Sequence, residues 1–256
     1  DSEGDYKTLY YTDISTGKTK EYNEYVNQKS PNSPILKNCF NEYIKRRENN
    51  MKNKVTALRK TTESFVKVVI EKGELKPDYR KKIRTPLAFL NHMIEHIAWR
   101  AALNIDIEMS FDEFELIHLV CEDVSMTLGR AVGEFVRVNC PSGYGASVGI
   151  IDEAKAAAAI SFEDRALLDF KSNIEYAESV EGMPSEELIT FLDGFVQGAR
   201  CTLHIDIEKG ENGHHIWEAV YRAFGIALGQ ALEVDEKRLG LTSGVAGKVV
   251  YEVTAE

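Results

Sequence analysis

The residues with the most chemistry to offer lie in GENGHHIWEAVYRAFG, residues 210–225, where His214 and His215 are adjacent and Glu218 follows. On a helix His214 and Glu218 are four apart and share a face, with Cβ atoms about 5–6 Å apart, a suitable bite for one metal ion. His215 is rotated by about 100° from His214 and faces elsewhere, so adjacent histidines suit two ions. HLVCE offers His118 and Glu122 at the same spacing, with Leu119 where His215 stands in the other segment. His92 in FLNHM and His204 in LHIDI complete a framework holding five of the chain's six histidines; His96 falls outside it. A lone histidine is most simply a hydrogen-bonded surface or core residue. Five of them with two i,i+4 glutamates point instead to ligation, and imidazole mixed with carboxylate suits Mn, Fe or Zn.

The elements that must position these residues form a repeat. FLNHMIEHIAWRAALNIDIE (89–108) and HLVCEDVSMTLGRAVGE (118–134) are answered by FLDGFVQGARCTLHIDIE (191–208) and HHIWEAVYRAFGIALGQ (214–230). LNIDIE and LHIDIE are offset by 100, from 103 to 203, while His118, Glu122, Gly129 and Gly133 match His214, Glu218, Gly225 and Gly229 at an offset of 96. A loop shortened by four residues reconciles the two offsets. Each copy reads as a helical stretch, an alternating strand, a turn and a second helix. Antiparallel sheets covered on one face by helices satisfy that pattern, so the expected class is α+β with a tandem repeat of two similar halves. SFVKVVIEK predicts a strand ending at Gly73; KVTALRK is a weaker one because Leu58 is out of step. DEAKAAAA reads as a strand by its place in the second copy and as a helix by alanine propensity. The expected divisions are an extension at 1–50, a first repeat at 51–139 and a second repeat with a tail at 140–256. The extension carries a short helix or hairpin on each side of the SPNSP turn.

Composition narrows the functions. A net charge of −10 disfavours nucleic acid as a partner. The local exception, Lys76, Arg80, Lys81, Lys82 and Arg84, is either a solvated edge or an anion site. Four cysteines without a CxxC pair give neither a zinc cluster nor a disulfide framework. No long apolar run or leader pattern is seen, which leads to the expectation of a cytoplasmic chain with no membrane partner.

Several separated motifs resemble those of the imidazoleglycerol-phosphate dehydratases, manganese-dependent lyases of histidine biosynthesis. TPLAFLNHM, HLVCEDV, IIDEA, RKTTES (59–64) and TLHIDIEKGENGHHIWEAVYRAFGIAL carry the likeness, which covers about residues 51–250. The resemblance implies two halves, each an antiparallel four-stranded sheet backed by two helices, in a large homo-oligomer with metal sites at subunit interfaces. It implies metal ligands at His92, His118, Glu122, His204, His214, His215 and Glu218, holding one or two Mn ions per subunit. Glu63 and Glu153 then fall near the substrate as catalytic carboxylates, with Arg165, Arg222 and Lys248 toward its phosphate. The implied substrate is a small phosphorylated imidazole. This chain departs from the pattern at Asn91, Trp99, Arg100, Leu119 and Gly143, and in TSGVAGK near the C-terminus. A homologue that keeps the metal-binding scaffold without the reaction is the alternative expectation.

Overall fold

The structure is a computed structural model that describes residues 6–13, 18–25, 52–234 and part of 241–254. The chain divides into two compact units, Asp1–Met51 and Lys52–Glu256. In the first, β1 (Tyr6–Asp13) and β2 (Lys18–Tyr25) form an antiparallel hairpin. That is one of the two alternatives expected ahead of the SPNSP turn; the stretch after the turn lies outside the described residues.

The second unit opens with an antiparallel sheet in the order β3-β4-β5, from β3 (Lys54–Lys60), β4 (Ser64–Lys72) and β5 (Leu103–Phe111). Strand alternation sorts β4: Val66, Val68 and Ile70 are fully buried, while Lys67 on the other face pairs with Glu108 directly across on β5. Among the described residues no fourth strand joins this sheet; after β4, KPDYRKKIR forms the single-turn helix α1 (Tyr79–Lys82) against β5. Pro77 has no N–H to give a strand ladder. Asn104 of β5 fixes the segment, accepting the N–H of Lys76 at 2.8 Å and donating to the carbonyls of Glu71 and Glu74. The basic run is largely neutralised: Lys76 pairs with Glu71 at 2.6 Å, Arg80 with Glu95 at 2.7 Å and Lys82 with Asp106 at 3.8 Å. The solvated-edge alternative therefore fits it better than the anion site.

The second sheet runs β6-β7-β11-β8, from β6 (Tyr144–Ile151), β7 (Ala154–Ser161), β8 (Leu167–Ser172) and β11 (Thr202–Lys209). The β9 (Ser179–Val180) and β10 (Met183–Pro184) pair forms a small separate ribbon. Here β8 pairs with β11 in parallel. The two sheets thus correct the expectation of four antiparallel strands in each: the first has three strands and the second is mixed. The parallel pair has a simple origin, since helix α4 (Ser185–Ala199) lies between β8 and β11 in the chain and returns it in the same direction.

Four helices lie against these sheets and against one another. Helix α3 (Ile117–Asn139) packs on β3, β4 and α4, whereas α5 (Gly213–Ala231) packs on β6, β7 and helix α2 (Ala88–Ala101). The alanine run became β7 because that place demands small side chains: Ala154, Ala156 and Ala158 are buried beneath α5. On neighbouring β6, a Cβ at Gly145 would collide with the Ala227 carbonyl and one at Gly149 with that of Ala219. Helix propensity is a weak prior that tertiary packing overrides. Gly149→Val is accordingly expected to destabilise by at least about 1–3 kcal/mol, seen as a lower urea midpoint. An unchanged midpoint would mean that α5 can back away from the sheet.

Glycines also set the helix pairs. Gly129 and Gly133 of α3 abut the backbone of Phe195 and Ala199, and Gly225 and Gly229 of α5 abut that of His96, Ile97, Arg100 and Ala101. The α3 end is fastened to its sheet by a buried carboxylate. Asp123 is 1% exposed at its side chain, meets the Arg59 guanidinium at 2.6 Å and accepts from the Ser64 hydroxyl. Among the described residues no helix is long and apolar enough to cross a membrane.

Candidate metal centre

Helix α5 begins where Asn212 caps it, its side-chain oxygen accepting the N–H of His214 at 2.9 Å and of His215 at 3.4 Å. That start puts both histidines in the first turn and Glu218 one turn on, 4% exposed. Burying a carboxylate costs heavily unless it is paired. Glu218 meets the Arg222 guanidinium, His96 Nε2 at 3.2 Å, His214 Nε2 at 3.3 Å and His92 Nε2 at 3.6 Å. Burial pushes this carboxyl up, but His96, Arg222 and His92 outweigh it and hold it below the usual range. His96 is pushed down to about 4, first by burial and then by its cationic neighbours against the pull of Glu218. It is therefore a neutral imidazole at neutral pH. His92, His214 and Glu218 place one ligand atom each within 4.8 Å of one another, a grouping fit for a metal ion.

The other predicted ligands share a posture rather than a place. Nδ1 of His214 faces Glu181 at 3.2 Å, that of His215 faces Glu153 at 2.9 Å, that of His118 faces Glu187 at 3.0 Å and that of His204 faces Asp169 at 3.3 Å. His92 Nδ1 lies 3.6 Å from Glu95. A carboxylate at Nδ1 fixes the ring and leaves Nε2 as the metal-seeking atom, the usual arrangement of ligating histidines. Thus all five histidines of the sequence framework carry the backing that ligands need. His118, Glu122, His204 and His215 do not join the His92 group within one chain. His118 and His204 keep their side chains 62% and 47% exposed.

Glu153 is built into the α5 start. Its Oε1 accepts the N–H of Asn212 at 2.9 Å and of Glu211 at 3.2 Å, and its carboxyl is held down to about 2, first by Asn212 and then by His215. In return the hydrogen bond that His215 donates to Glu153 leads in raising His215. Because the folded value lies below the ordinary 4.5, this contact stabilises the loop above that pH and is lost as pH falls toward 2. Carboxyl NMR should find Glu153 titrating far below the other glutamates; a midpoint near 4.5 would remove it from the cap.

Glu63 sits exposed in the β3–β4 turn, its N–H donating to Thr61 Oγ1 and its carbonyl accepting from Asp112. Arg165 is exposed before β8, its carbonyl accepting from the Thr202 hydroxyl. Arg222 donates to the Ile150 carbonyl at 2.9 Å as well as holding Glu218. Lys248 lies outside the described residues. Gly143 has φ +70 and faces Ser243 of the TSG segment so closely that no side chain fits there. Trp99 stacks at a tilt on Tyr79, 6.0 Å between centroids, and Arg100 lies against Gly225. Sequence reasoning missed Glu181, Glu187 and Asp169, for which no spacing signal exists, and left out His96, whose i,i+4 step from His92 was the available clue.

Fold and donors together define a class: an α+β protein whose histidines, each backed by an acid, are displayed around helix starts and one buried glutamate. Residues 85–228 match the family model for imidazoleglycerol-phosphate dehydratase. The dehydratase of Burkholderia thailandensis is 36% identical over 196 residues, covering 75% of this chain and 97% of that protein, and that of Burkholderia pseudomallei is equally similar over 195 residues. Among solved structures, the Pyrococcus furiosus enzyme in complex with (S)-C348 aligns at a TM-score of 0.61 and 28% identity, covering 75% of this chain and 99% of that one. The Staphylococcus aureus enzyme aligns at 0.62, with 28% identity over 71% of this chain and 99% of that chain. The chain belongs to the imidazoleglycerol-phosphate dehydratase family.

Proposed function

We propose that this protein is a metal-dependent hydro-lyase that dehydrates imidazoleglycerol phosphate or a closely similar phosphorylated imidazole polyol. The observation that carries the reading is the carboxylate behind every framework histidine, which turns Nε2 outward as a ligand. The donor set of imidazole and carboxylate fits a divalent Mn, Fe or Zn ion, and the family resemblance favours Mn. His92, His214 and Glu218 would hold one ion; His118, Glu122, His204 and His215 would serve another, completed across contacts between copies in a homo-oligomer. Exposed His118 and His204 side chains support that division.

The bound ion supplies Lewis-acid stabilisation of the charge that develops on the imidazole as water leaves. The chain's own groups handle protons and position. Glu153, kept ionised by the Asn212 and Glu211 amides, is the carboxylate assigned to accept a proton once it leaves those amides. Glu63 is the second carboxylate and would return one. Arg165, Arg222 and Lys248 supply cationic contacts for the phosphate, with Arg222 exchanging its Ile150 carbonyl contact for that role.

The body is read as two halves joined at about residue 140, preceded by the 1–50 extension. Support comes from the order of elements, strands followed by a long helix, a strand and a second long helix in each half, and from the matched glycine seams of α3 on α4 and α5 on α2. The test is turnover of imidazoleglycerol phosphate by the full chain, stripped with chelator and reloaded with Mn. Activity that vanishes and returns supports the reading; fully loaded protein without turnover overturns it and leaves the scaffold alternative.

A further inference from the structure

We propose that His96 is a metal ligand, giving the His92, His214 and Glu218 cluster a third imidazole that makes up, within one chain, for the one Leu119 does not provide. The inference rests on the metal reading above and adds a residue outside the repeat framework. His96 stands one turn after His92 on α2, and its ring lies 4.6 Å from that of His92. Its Nε2 is 3.4 Å from His92 Nε2 and 3.2 Å from Glu218 Oε1, while His92 and His214 approach Oε2. For metal–ligand bonds of about 2.1–2.2 Å, neighbouring donors stand roughly 3.0–3.6 Å apart in octahedral to tetrahedral sites. The His92–His96 and His96–Glu218 separations fall in that range, so His96 adjoins the His92, His214 and Glu218 group at the spacing of a neighbouring donor.

The two Nε2 atoms face one another at 3.4 Å, an approach between ring nitrogens that a shared proton or a shared cation favours. The α2–α5 seam also holds His96 in place, because its own carbonyl abuts Gly225. An ion held this way has three nitrogens and a carboxylate from one chain and needs no imidazole at position 119 for its first four donors.

The test uses the full chain, stripped and titrated with Co(II), read by its visible spectrum, and with Mn(II), read by electron paramagnetic resonance. His96→Gln is expected to weaken one class of site by about 10- to 100-fold and to shift the Co(II) bands of that site. Unchanged affinity and bands would overturn the inference and make His96 a hydrogen-bond partner, while leaving the metal reading intact. Wild-type protein that binds neither ion would overturn the metal reading itself. His96→Cys guards against a folding defect in the glutamine variant. Its thiolate should produce a new near-ultraviolet sulfur-to-cobalt charge-transfer band if position 96 reaches the ion, and absence of that band in folded protein would overturn the proposal.

Discussion

Glu218→Gln should lose its α2–α5 metal ion, with affinity falling by about 100-fold or more, since even groups behind a ligand are worth about 10- to 100-fold. The substitution keeps the shape of the side chain and removes the charge on which three imidazoles and the Arg222 guanidinium converge. A second effect follows in the metal-free protein. Arg222 is 23% exposed at its side chain, so its charge is left largely buried with one strong partner gone. Breaking a fully buried pair costs about 3–5 kcal/mol; partial exposure of Arg222 reduces the expected loss to about 1–3 kcal/mol. Metal content and urea unfolding, measured with and without chelator, separate the two effects. Full metal retention in Glu218→Gln would show that the cluster is a hydrogen-bonded core feature and not a ligand set.

The second large effect is expected far from any ligand. Asp123→Ala removes the carboxylate that meets Arg59 and Ser64 beneath α3. Arg59 has 29% side-chain exposure and can recover part of its hydration, so the expected cost is about 2–4 kcal/mol. For a body of this size that corresponds to a fall in Tm of roughly 5–15 °C. The double variant Asp123→Leu with Arg59→Met should recover much of the loss, because removing both charges avoids a stranded one. If the single variant melts with the wild type, Asp123 does not fasten α3 to β3 and β4.

The His214–Glu218 spacing and the mixed α+β class were legible because they follow local periodicities. The four-residue step from His214 to Glu218 and the alternation of LHIDIE depend on helix and strand geometry alone. What escaped depends on tertiary packing. DEAKAAAA could not be settled as strand or helix, since the deciding fact is the carbonyl row of α5 pressed onto β6 and β7. The acids behind the histidines escaped for the same reason: Glu187 and Glu181 lie 69 and 33 residues from the rings they back. The parallel β8–β11 pair and the three-stranded first sheet were invisible to a scheme of two matching four-stranded halves. There Pro77, Asn104 and a string of cations decide locally what the second half decides otherwise.

The three-stranded order leaves β5 as the last rung of its sheet, with a row of backbone groups on its outer side. Such an edge is a template for another chain, and a strand of matching length could add to it and start an ordered aggregate. The segment around α1 occupies the approach with a proline, three lysines and two arginines, and Asn104 holds its start by hydrogen bonds with Lys76 and Glu74. Charges and a proline on that approach disfavour strand addition, so loosening the segment is expected to change how the protein behaves when concentrated.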